Sequence, residues 1–178
     1  MTRTTLPFAR ILDLTIVRAT PAGDSLEQVP YRTPAESAAA QDRSALKDDE
    51  KDSVIEVAML MATANGDTSP DELASLADLV AHLLGNRPAS GQLTTWMTAI
   101  EKRGLGGSAE ERVRAIATTL KRPLARELAY KAAYAIRVSD LEANPDEEDL
   151  GDILVEALEL GELVADLESE VNEALIVD

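Results

Sequence analysis

Two stretches of this 178-residue chain crowd side-chain oxygens just ahead of helix-start signals. The first is "ATANGDTSPDELASLADLV", residues 62–80, and the second is "RVSDLEANPDEEDLGDILV", residues 137–155. At an offset of 75 residues, Pro70-Asp71-Glu72 falls on Pro145-Asp146-Glu147 and Asp67 falls on Glu142. Leu79, Val80 and Leu83 fall on Leu154, Val155 and Leu158. Oxygen ligands at these spacings suit a hard cation, and two such loops could share one ion or hold one each. Neither loop is an EF-hand. Counted from Asn65 or Asp140, the sixth position is Pro70 or Pro145 where a glycine is needed, and the twelfth is Leu76 or Gly151 where a glutamate is needed.

Part of each motif has a simpler use. Ser69-Pro70-Asp71-Glu72 has the order of a helix start: a hydroxyl cap, proline at the first helical position, and a glutamate that reaches back. Asn144-Pro145-Asp146-Glu147 repeats it with asparagine as the cap. Acids in a first turn also suit the positive end of the helix dipole. Capping does not use Asn65-Gly66-Asp67 or Asp140-Leu141-Glu142, and these residues carry the case for a ligand.

Other chemistry is scarce. The chain has no cysteine and one histidine, His82, which excludes thiol catalysis and Cys- or His-rich metal sites. Asp140 and Glu147 could be drawn as a hydrolase acid and base, but no nucleophile accompanies them, so the reading is non-enzymatic. "RGLGGSAEE" lacks the lysine and the preceding strand of a phosphate loop and reads as a turn. His82 is placed as a helix C-terminal or surface residue and Trp96 as core.

The net charge of −16 is unevenly distributed. No Lys or Arg follows Arg137, and 15 of the 33 acids lie from Asp140 onward, leaving 18 against 17 bases elsewhere. Such a surface repels phosphate, so nucleic acid is not an expected partner. Arg112, Arg114, Lys121, Arg122, Arg126, Lys131 and Arg137 read as the counter-surface for this acidic region. No apolar run is long enough to span a bilayer, and Arg10 and Asp13 interrupt any signal-like segment. A cytoplasmic location is the expectation, with membrane association only through a partner.

The elements that must position these loops are helical. Aromatic residues make up 3% of the chain, so the core must come from Ala, Leu, Val, Ile and Met. Helical periodicity starts at Asp52 and gives seven helices: around Val54–Ala64, Leu73–Leu84 (stopped by Gly85), Leu93–Ile100, from Ser108 to Leu120, Leu124–Ile136, Pro145–Leu160 and Leu163–Leu175. The expected fold is all-α, a compact bundle of about seven helices containing two pseudo-repeated helical hairpins, over residues 51–178. Residues 1–50 form an N-terminal arm and linker, irregular or with a short strand; periodicity does not decide between strand and helix for "FARILDLTIVRA". The seventh helix either docks on the bundle or presents an edge to a partner, and docking is the simpler use of its apolar stripe.

"MATANGDTSPDE" (residues 61–72) and "AIRVSDLEANPDE" (residues 135–147) resemble the tellurite-resistance protein TerB family and its TerB-like relatives, including the N-terminal domain of DnaJ-type co-chaperones. The resemblance covers about residues 52–160. It implies a helical bundle, a divalent cation site, calcium by analogy, and a role in stress-linked protein assemblies, with protein partners or a second copy of the chain. Carried over by position, the implied ligands are Asp67, Asp71 and Glu72 with Asp140, Glu142, Asp146 and Glu147. Two positions depart from the pattern: Asn65 stands for its leading acid, and Leu141 for its second glycine.

Overall fold

Ala-rich helices can approach closely, and the computed structural model builds the centre of the molecule on that approach. It describes residues 46–104, 107–139 and 144–176, the side chains of residues 90, 103 and 104 aside. Residues 1–45 of the proposed N-terminal arm lie outside the described residues, as do Asp140 and Glu142, while its last residues, 48–50, belong to the first described helix. Among the described residues there are seven helices and no strand: α1 (Asp48–Ala62), α2 (Pro70–Leu84), α3 (Ser90–Gly104), α4 (Ala109–Thr119), α5 (Pro123–Arg137), α6 (Pro145–Leu158) and α7 (Val164–Leu175). No helix among them is long and apolar enough to cross a membrane.

The pairing of α1 with α5 is the most extensive contact of the bundle. Val54, Val57, Ala58, Met59, Met61 and Ala62 of α1 are buried, as are Ala125, Leu128, Ala129, Ala132, Ala133, Ala135 and Ile136 of α5. Helices apolar on most of their circumference belong in the middle of a fold. Around this pair, α2 packs on α1 and also on α5, while α6 packs on α5 and also on α1. The hairpins α1–α2 and α5–α6 therefore make reciprocal contacts, and they are the two halves of the 75-residue repeat. α3 lies against α1 and α2, α4 against α1 and α6, and α7 against α5. Trp96 on α3 is partly buried against the core.

Local chemistry fixes the helix ends. Ser69 Oγ accepts from Glu72 N (3.1 Å) and Glu72 Oε2 accepts from Ser69 N (2.7 Å), a reciprocal box that starts α2. Ser108 and Glu111 do the same for α4. Pro70, Pro123 and Pro145 open α2, α5 and α6, where the missing N–H costs nothing. Gly85 ends α2 at φ 75°, a conformation that glycine adopts without steric penalty.

The start of α1 lies at Asp48, ahead of the onset of apolar periodicity, and it includes an ion pair. Glu50 is only 3% exposed. Its Oε2 accepts from Lys47 N (2.8 Å), and its carboxylate is gripped by Arg122 through Nε (2.8 Å) and Nη2. This two-point contact ties the beginning of α1 to the residue that caps α5. The Arg122 hydrogen bonds hold the Glu50 carboxyl below its ordinary value, against the opposing effect of burial. A depressed folded pKa gives stability that is complete above the unfolded value of 4.5 and is lost as pH falls through the folded value. The Glu50→Gln variant should therefore melt well below the parent at neutral pH, and the gap should narrow as thermal melts are taken into acid. A gap that stayed constant from pH 7 to about 3 would mean that the pair contributes no linkage.

Candidate acidic-loop site

The first loop is held by its own polar groups. Thr68 Oγ1 donates to Ala62 O (3.0 Å), closing the loop against the end of α1. Gly66 N donates to Thr63 O (3.0 Å), and Gly66 has φ 86°, so a side chain there would be strained although space is open around it. Asn65 Oδ1 accepts from Asp67 N (2.9 Å), the side chain mimicking a backbone turn.

The same asparagine crosses the molecule. Its Nδ2 donates to Glu147 Oε1 (3.2 Å), 82 residues away, so the first loop and the start of α6 meet. Glu147 is 2% exposed, and its counterpart Glu72 is 1% exposed. Both occupy the third position of their helices, yet they differ in use. Glu72 completes its capping box. At α6 the cap is Asn144, whose Oδ1 accepts from Asp146 N (2.9 Å), and the Glu147 carboxylate is directed to Asn65 instead. An amide N–H₂ here supplies the positive edge that an acid at position 65 could not.

Of the sequence-derived ligands, Asp67, Asp71 and Asp146 are exposed, while Glu72 and Glu147 are buried. Asp140 and Glu142 lie outside the described residues. Among the described residues, no group of three or more His, Asp or Glu is close enough to hold a metal ion. The oxygen-only donor set suits calcium in chemical type.

A second polar region lies where α7 meets α5. Lys131 is fully buried and pairs with Glu170. Tyr130 donates to Glu168 Oε1 (2.7 Å), Tyr134 exchanges hydrogen bonds with Asn172, and Arg137 lies 3.9 Å from Glu168. Burial, then the Glu168 carboxylate, push the Tyr130 hydroxyl above its ordinary value. Tyr130 and Tyr134 stack at 6.3 Å, with the Arg137 guanidinium 4.9 Å from the Tyr134 ring centre. A shallow recess of about 10 Å³, room for about one water molecule, opens beside them, lined by Met61, Ala133, Gly151 and Leu154 as well as Tyr130, Tyr134 and Arg137. It is far smaller than the roughly 300 Å³ at which small-molecule sites begin.

Of the seven basic residues expected to face the acidic region, Lys121 is exposed and the other six divide in two. Arg114 contacts Glu156, Arg126 contacts Glu159, and Lys131 and Arg137 contact α7. Arg112 and Arg122 turn instead to Glu56 and Glu50 on α1. His82 is exposed in the last turn of α2.

The chain matches no family model, no curated protein and no solved structure. Its reading rests on its own geometry.

The link between the loops is testable by substitution. Asn65→Ala removes the amide donor from a buried carboxylate and should cost about 1–2 kcal/mol by thermal or urea unfolding. Asn65→Asp should cost more at neutral pH, because it sets a second carboxylate beside Glu147, and part of that loss should be recovered in acid as one of the two takes up a proton. An Asn65→Asp penalty that does not depend on pH would rule out proximity of charge as its cause.

Proposed function

We propose that this chain is a non-enzymatic, TerB-like helical module that binds a divalent cation, calcium by analogy, between its two acidic loops and acts in a stress-linked protein assembly. The observation that supports this reading is the Asn65–Glu147 hydrogen bond, which joins the first acidic loop to the opening turn of the helix that the second motif starts. A cation beside that contact would draw on Asp67, Asp71 and Glu72 from one side and Asp140, Glu142, Asp146 and Glu147 from the other. Bound there, it would offset the mutual repulsion of acids gathered at two helix starts. The helix dipoles oppose a cation on their axes, so the ion would sit to the side, among the carboxylates.

The test is thermal unfolding of chelator-treated protein with and without calcium, magnesium or manganese at constant ionic strength. A site filled at about 100 times its dissociation constant adds about 2.7 kcal/mol to stability. Asp140→Asn with Glu142→Gln should abolish an ion-selective rise and leave the apo protein nearly unchanged. A small rise that is equal for all ions would be charge screening and would end the cation reading.

A second reading is favoured by the outer face of α6 and α7, where Glu148, Asp149, Asp152, Glu156, Glu162, Asp166 and Glu173 are exposed. That face would recruit a basic protein surface, with long-range charge speeding the encounter. Under this reading, neutralising Asp152, Glu156 and Glu162 weakens association and its salt dependence, while the loop substitutions do not.

A further inference from the structure

The seat of α7 on α5 is specific, and the helix that fills it is joined to the bundle by a short exposed link. α6 ends firmly: Leu160 is buried, and its N–H donates to Val155 O (3.0 Å). Beyond it, Gly161, Glu162 and Leu163 are all exposed, and Gly161 has open space on the side where a Cβ would be. α7 then starts at Val164, with no side-chain cap from Leu163 before it. It has 12 residues, near the lower limit of length at which an isolated helix holds in water. Its principal contact is α5. Opening of α7 about Gly161–Leu163 therefore leaves the α1–α5 core and the end of α6 in place, a local rather than a global event.

The vacated seat would require a particular occupant. It presents Tyr130, Tyr134 and Lys131 to an incoming helix. That helix must bring apolar residues at the spacing of Leu167, Val171 and Ala174, which are buried, with acids where Glu168 and Glu170 stand. A helix without the acid at the Glu170 position would forgo the buried Lys131–Glu170 ion pair. One helix certain to fit is the α7 of another copy of this chain.

We propose that α7 is exchangeable between copies: two chains open at Gly161–Leu163 and each takes the other's α7, so that Lys131 of one chain pairs with Glu170 of its partner. Every contact of the closed chain is kept in such a pair, and only the link changes course, which is why exchange of an element is a low-cost route to a dimer. The high negative charge of each chain opposes the encounter, so exchange is favoured at moderate rather than low ionic strength. This inference does not depend on cation binding.

The experiment uses full-length chains distinguished by mass and native mass spectrometry at high protein concentration. A Lys131→Met chain is mixed with a Glu170→Gln chain after brief warming to allow exchange. In a mixed exchanged dimer one seat regains the intact Lys131–Glu170 pair, and the other carries both substitutions. Mixed dimers should therefore outnumber either homodimer by about tenfold beyond the statistical ratio, the factor expected for one charge-assisted hydrogen bond. Two further chains leave the seat untouched. Deleting Glu162 and Leu163 should raise the dimer fraction, because the link can no longer fold back, and inserting Gly-Gly-Ser after Gly161 should lower it. Mixed dimers at only the statistical ratio, or a shortened-link chain that stays monomeric, would overturn the proposal.

Discussion

Close approach of α1 and α5 is the constraint on which the rest of the molecule depends. A chain with so few aromatic residues cannot fill wide gaps between helices, so its core has to be made narrow. The run of alanines in "LARELAYKAAYAI" lets α5 lie close against the Val, Ala and Met face of α1. Deep interdigitation of small side chains then recovers by packing density what large side chains would contribute by area. Everything else is arranged around that pair. The Glu50–Arg122 contact clamps one end of it, and at the other end the loop that leaves α1 brings Asn65 to Glu147 in the first turn of α6. The meeting of the first acidic loop with the start of α6 is thus a consequence of the central packing.

The seven helices were legible in the sequence because each carries an apolar stripe of helical period and three carry a side-chain cap. Ser69, Ser108, Asn144 and the three prolines mark helix starts through local bonding, which needs no knowledge of the fold. The start of α1 was less legible. Asp48-Asp49-Glu50 looks like a solvated acidic run, and only the distant Arg122 makes burial of Glu50 tolerable. The same holds for the basic residues: composition pairs them with the acidic C-terminal region in bulk, whereas α1 captures Arg112 and Arg122. Long-range partners of charged side chains depend on topology, and local pattern does not encode them.

The candidate site divides along the same line. The repeat of Pro-Asp-Glu and the capping role of Glu72 could be read directly. That Glu147 would instead turn to Asn65 could not, because a hydrogen bond across 82 residues leaves no local trace. One signal was present in hindsight: an asparagine in a position otherwise suited to an acid is a donor as well as an acceptor. Lys131 had a signal too. Three of its four helical neighbours, Leu128, Tyr134 and Ala135, are apolar or aromatic and only Glu127 is charged, which points a lysine toward an inward face.

That buried lysine also settles which turn of α7 rests on which turn of α5. Apolar stripes alone tolerate sliding, because Leu167, Val171 and Ala174 repeat at nearly one residue per turn and a shift by four positions presents much the same surface. The charged contact removes that freedom. A slip one way sets Ala174 against the Lys131 ammonium. A slip the other way sets Asp166 there, one methylene shorter, and replaces Glu168 by Val164 opposite the Tyr130 hydroxyl. Polar groups that add little to stability can in this way act as an index mark, fixing the register of two helices that greasy contact by itself would leave free to slide.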